Sequence, residues 1–116
     1  MRVDRFRFGS IRIDGRTYAN DVVLDRGKVS KRKKKASKPF RDQFGHTPLS
    51  NEENIPWKCA TLVVGTGVEG SLPVMPEVER EARRRGVELV TAPTPKAIAL
   101  LKTTRKSTNA VLHITC

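Results

Sequence analysis

The sequence predicts one α/β domain whose sheet has an N-terminal antiparallel start, a hairpin or meander of two or three strands. Three observations point there. The C-terminal half alternates strand and helix patterns: an apolar run at 60–64, a helix at 76–85, a short strand at 87–90, a second helix from Thr94 and a last strand at 109–115. That order is the signature of an α/β sheet. The N-terminal third carries short apolar pieces punctuated by Asp14-Gly15 and Arg26-Gly27, the turn chemistry of hairpins. Finally, 116 residues fit a single domain, 1–116, which can bury about two-thirds of its unfolded surface without a disulfide or metal.

Phe6, Phe8, Ile11 and Ile13 are spaced as two strand pieces around Gly9-Ser10, and Tyr18 follows Asp14-Gly15 at strand spacing. Asp21 to Asp25 reads as the next strand, turning at Arg26-Gly27 into Lys28-Val29-Ser30. From Lys31 to Gln43 no apolar period appears, so an irregular segment is expected, with a basic, mobile stretch at 26–44. Ser50-Asn51-Glu52-Glu53 matches the S-x-x-E capping box and predicts a short helical turn, limited by Pro56. Ala60 to Val64 is continuously apolar, as in a strand buried on both faces.

The clearest helix runs from Pro76, suited to the first helical position, to Arg85. Glu77, Glu79 and Glu81 lie toward its N-terminus and Arg83, Arg84 and Arg85 crowd its C-terminus, matching the helix dipole. Glu79–Arg83 and Glu81–Arg85 are i,i+4 pairs, and Gly86 is placed to stop the helix. In the second helix Thr94 is read as N-cap and Pro95 as first residue, with Ala97, Ile98, Leu100 and Leu101 as the buried stripe.

The net charge of +11 is concentrated in one place. Residues 26–41 hold nine basic residues and no acidic one, leaving 14 basic against 12 acidic elsewhere. Lys31, Arg32, Lys33, Lys34, Lys35 and Lys38 are therefore candidate polyanion contacts, for RNA, DNA, anionic lipid or an acidic protein. A solvated loop would have the same composition. Phe40 is the segment's one aromatic, which is sparse for base stacking. No apolar run approaches the roughly 20 residues of a membrane span. Cys59 and Cys116 lack metal or redox spacing, so a cytoplasmic location with reduced thiols is expected. No metal site or cofactor motif is present, and the oligomeric state is open.

The candidate ligand site is a crevice beyond Val64. There the Gly65-Thr66-Gly67 turn would face the start of the helix at Thr94, with Lys96 adding charge. Glycines and helix-start N–H groups can cradle an anion. The same residues also suit plain turn geometry and capping. His113 and Cys116 stand an odd number apart and would point to opposite faces of a strand. A hydrogen-bonded, buried ring is expected for His113. A Cys/His nucleophilic pair lacks a third, orienting group. Cys59, near Trp57, reads as an apolar filler. Asp14, Asp21 and Asp25 form no recognisable carboxylate pair.

Taken together, Phe8-Gly9-Ser10-Ile11, Asp14-Gly15 with Tyr18, Asp21-Val22-Val23, His46 and Leu49, Gly65-Thr66-Gly67, Thr94 with Ala97, and His113-Ile114-Thr115-Cys116 form an ordered set across nearly the whole chain. The set resembles the family that includes mitochondrial NADH dehydrogenase (complex I) assembly factor 3 and the adipogenesis-associated domain protein. The resemblance implies a three-layer single α/β domain with a central mixed β-sheet and no established catalysis; most members are of unknown function, and the best-known ones act as assembly or interaction factors. The chain departs from the pattern in its lysine-rich segment and at Lys102, where a smaller polar residue is expected.

The expected function is thus a non-enzymatic accessory or assembly-type protein whose 26–41 segment contacts another, acidic protein. One alternative is nucleic-acid association through the same segment, with Arg83, Arg84 and Arg85 as a second patch. Another is a small-anion enzyme or sensor built on Gly65, Thr66, Gly67, Thr94 and Lys96.

Overall fold

The computed structural model describes residues 2–104 and 107–116; positions 1, 105 and 106 lie outside the described residues. A five-stranded mixed sheet forms the centre. Its strands are β4 (Val22–Asp25), β5 (Lys28–Lys31), β6 (Thr61–Thr66), β7 (Glu88–Ala92) and β8 (Thr108–His113), in the order β5-β4-β8-β6-β7. β6 runs parallel to both β7 and β8, while β4 is antiparallel to β8 and β5. A separate antiparallel sheet holds β1 (Val3–Arg7), β2 (Ser10–Ile13) and β3 (Arg16–Tyr18). The expected meander is therefore divided: its first three strands form their own sheet, and the 22–31 hairpin joins the central one.

Side-chain alternation separates two cores. Val63, Ala110 and Leu112 face one side of the central sheet, where Ile11 and Ile13 of β2 and Ala97 and Ile98 of α3 (Thr94–Thr103) cover them. Leu62, Val64 and Val111 face the other, under Val78 of α2 (Pro76–Arg85) and Leu49, Ile55, Leu72 and Met75 from the connecting segments. The period of two places successive residues on opposite faces. This is why Leu62, Val63 and Val64 are apolar without a break.

Two elements differ from their sequence reading. The stretch expected to be irregular carries a 3-10 segment (Lys34–Phe40) followed by α1 (Arg41–Phe44), closed by Gly45 at φ 76°. The hydroxyl-bearing Ser37 is the one buried residue of that 3-10 segment, so no apolar stripe announces it. The Ser50–Glu53 capping box makes only a turn, with Glu53 N–H donating to Ser50 O. Its side chains serve a buried network instead.

Candidate functional site

The expected crevice at Gly65-Thr66-Gly67 is closed. Thr94 is fully buried and stands one residue inside α3, with Pro93 as the N-cap. Its hydroxyl donates to His113 O at 2.6 Å and accepts from Gly67 N–H at 2.8 Å, and its own N–H donates to Gly67 O at 2.8 Å. A Cβ at Gly65 would lie 2.8 Å from Thr94 Oγ1, and one at Gly67, where φ is 104°, would lie 2.6 Å from Cys116 O. The glycines thus serve close packing of β6, α3 and the 113–116 segment. Thr66 is buried, and Lys96 is exposed. The Gly67 amide and the Thr94 hydroxyl and amide are thus engaged within this packing. Lys102 lines a separate hollow beside Leu24 and Leu101.

Arg32 also departs from expectation. Its side chain is 1% exposed. The guanidinium donates to Asp21 Oδ2 at 2.9 Å, to both oxygens of Glu53 at 2.8 Å and to Pro48 O at 3.0 Å. Ser37 and Ser50 share a hydrogen bond, and Ser37 also donates to Glu53. Buried charge survives only when paired and hydrogen-bonded, and Arg32 has both. It is a structural pin between β5 and the 48–53 turn and is unavailable to an external polyanion.

Asp21 carries the network onward. Its Oδ2 lies 2.8 Å from His113 Nδ1 and its Oδ1 accepts from Ile114 N–H at 3.0 Å. On the far side of the ring, His113 Nε2 lies 3.1 Å from Thr115 Oγ1. Burial by itself would raise the Asp21 pKa. The His113 hydrogen bond and charge, the Ile114 amide and the Arg32 charge outweigh burial and hold the carboxyl below its ordinary value. The ring expected to be hydrogen-bonded is so, and Asp21 is the orienting group that the sequence did not reveal. His113 and Cys116 line the same recess, because β8 ends at His113 and strand alternation does not extend to residues 114–116.

The remaining lysines converge. Lys31, Lys33, Lys34, Lys35 and Lys38 are exposed and line one cavity of about 590 Å3. Asn20, Asp21 and Thr115 also contribute to it. Among the described residues none of these lysines forms an ion pair, and Asp21 is already engaged by Arg32 and His113. Asn20 Oδ1, in the same wall, is a buried polar atom without a hydrogen-bond partner among the described residues. A second recess of about 230 Å3 adjoins it, sharing Lys34 and Thr115 and adding Arg41, His46 and His113. Among the described residues no cluster of His, Cys, Asp and Glu is arranged to hold a metal ion. Among the described residues no helix is long and apolar enough to cross a membrane. The Arg83–Arg85 patch is partly engaged: Arg84 and Arg85 pair with Glu81, and Arg85 stacks over Trp57 at 5.5 Å.

Residues 3–113 match the model of a family described as a protein of unknown function, DUF498/DUF598. Among solved structures, a conserved hypothetical protein from Pyrococcus horikoshii OT3 is 28% identical, with a TM-score of 0.83 and full coverage of both chains. A protein named MT938 is 25% identical, with a TM-score of 0.76, over 99% of this chain and 98% of its own. A protein described as an outer membrane protein from Bartonella henselae shares the fold at 13% identity and a TM-score of 0.66, over 98% and 94% of the two chains. No curated protein matches the chain.

Proposed function

The chain belongs to the DUF498/DUF598 family of unknown function, and from that premise we propose that it is a non-catalytic accessory protein that docks an acidic segment of a partner protein. One observation carries this reading: five exposed lysines, at 31, 33, 34, 35 and 38, line a single cavity without an ion pair among the described residues. Like charges held on one platform repel each other, and an anionic partner relieves that repulsion. A single exposed ion pair contributes about 0–1 kcal/mol, so the effect rests on several charges acting together and on faster encounter.

A protein partner suits the face better than a nucleic acid does. Base recognition on single strands relies on stacking aromatics, and Phe40 packs against the core cluster under α2 rather than into the lysine cavity. A role without catalysis is favoured by the amides around Thr115. Val68 N–H donates to Thr115 O, Ser71 N–H to Cys116 O and Gly67 N–H to Thr94 Oγ1, so these are not free to hold a developing oxyanion. The resemblance to the assembly factor 3 family supports an assembly-type role. The two free cysteines suit a reducing compartment such as the cytoplasm.

Fluorescence anisotropy of a labelled Asp/Glu-rich peptide tests this. Serine at positions 31, 33, 34, 35 and 38 together should abolish binding that the unaltered chain shows. Equal affinity in both would overturn the reading, and tighter binding of single-stranded oligonucleotide would favour the nucleic-acid alternative.

A further inference from the structure

The smaller recess beside the lysine cavity has its own chemistry. At about 230 Å3 it lies below the roughly 300–1,000 Å3 of pockets that take drug-sized ligands. With about 30 Å3 per water in bulk, it has room for one tetrahedral oxyanion and a few further atoms. Its walls carry cations and neutral donors. Lys34 and Arg41 bring permanent charge, His46 and His113 bring imidazoles, and Thr47 and Ser71 bring hydroxyls. Among the described residues no Asp or Glu side chain lines it, in a chain with 12 acidic residues. Lys34 and Arg41 form no ion pair among the described residues either.

His113 makes the recess a built site rather than a patch of surface charge. The ring is half-buried and fixed from behind by Asp21, which Arg32 and the Ile114 amide hold in turn. An ionised carboxylate only accepts, so Nδ1 carries the proton shared with Asp21. Nε2 then lies on the recess side, 3.1 Å from Thr115 Oγ1. In the neutral ring it accepts the Thr115 hydroxyl proton. In the protonated ring it donates.

We propose that this recess binds a phosphate group, either inorganic phosphate or the terminal group of a small phosphomonoester. Arg41 and Lys34 pair with its charge, and His113 Nε2–H donates to one oxygen. Two permanent cations suit a dianion better than a single carboxylate, and guanidinium geometry matches phosphate oxygens. Donors from several walls suit a tetrahedron better than a plane. The site shares Lys34 and Thr115 with the larger cavity but does not depend on the docking of a protein there.

The test follows the His46 and His113 ring resonances by NMR at constant ionic strength set with chloride. Inorganic phosphate and glycerol phosphate are titrated separately, and the tighter arm identifies the source. Saturable shifts at both rings are expected, with a Kd of about 1 mM or tighter. Arg41→Ala, an exposed position, should weaken binding at least about tenfold. Lys28→Ala, which removes equal charge from a position outside the recess, should leave it unchanged. Shifts that fail to saturate, or affinity untouched by Arg41→Ala, would overturn the proposal. An acidic peptide that still binds when phosphate does not would sink this inference and leave the docking face standing.

Discussion

Replacing Arg32 with methionine should cost the protein a large part of its stability. The substitution keeps most of the aliphatic bulk, so the loss reports charge and hydrogen bonding more than a cavity. Four donor contacts disappear: one to Asp21, two to Glu53 and one to Pro48 O. Both carboxylates stay inside, with side-chain exposures of 8% for Asp21 and 4% for Glu53. Asp21 keeps His113 and the Ile114 amide, whereas Glu53 keeps, among the described residues, Ser37 alone. Removing one partner of a buried pair costs about 3–5 kcal/mol. Against a total of about 5–15 kcal/mol, the variant should fold with a narrow margin and melt on the order of 10–20 °C lower. Urea denaturation followed by circular dichroism measures the loss. It should persist at high salt, because buried pairs are screened little. Adding Glu53→Gln should restore part of it, since an amide replaces the orphaned charge. A loss below about 1 kcal/mol, the value of an exposed pair, would refute the reasoning and mean that water reaches the cluster.

Two further outcomes rest on the same geometry. The folded pKa of Asp21 is depressed below its ordinary 3.8, so its contribution is complete above the unfolded value and is lost as pH falls through the folded one. Asp21→Asn should therefore flatten the acid limb of a stability profile below about pH 4; an unchanged limb would show that Asp21 does not drive it. Gly67→Ala combines left-handed strain with collision against the Cys116 carbonyl and should cost about 3 kcal/mol. Gly15→Ala, where φ is 80° and nothing lies within 4 Å of the new Cβ, should cost only about 1–2 kcal/mol. Equal thermal shifts for the two would contradict the close approach of the 113–116 segment.

What the sequence revealed was local. Asp14-Gly15 and Arg26-Gly27 adopt φ of 50° and 80°, and of 49° and 83°, the two positive values a tight hairpin demands. Pro76 opens α2 and Gly86 closes it at φ 68°, because both signals act within a turn of the helix. The unbroken apolar run of β6 reported its two covered faces. Hidden features depended on distant partners. Arg32 looks like its basic neighbours, and only Asp21, 11 positions earlier, and Glu53, 21 positions later, make it structural. Asp21 and His113 are 92 positions apart, so no spacing announced the pair. Ser50 and Glu53 fit a local capping pattern, but the Arg32 charge and Ser37 hydroxyl engage them first. The Gly65-Thr66-Gly67 turn was recognisable as a turn, and its closure was not, because the closing atoms come from Thr94 and Cys116.

Mapping backbone amide shifts as an Asp/Glu-rich peptide is added, first at low and then at high salt, tests the docking face most directly. The expected shifts are confined to residues 28–41 with Asn20 and Thr115, around the cavity that the five lysines line, and they fade as salt screens the exposed charges. Shifts centred on Arg83–Arg85, or shifts that salt leaves untouched, would contradict an electrostatic docking face in this segment.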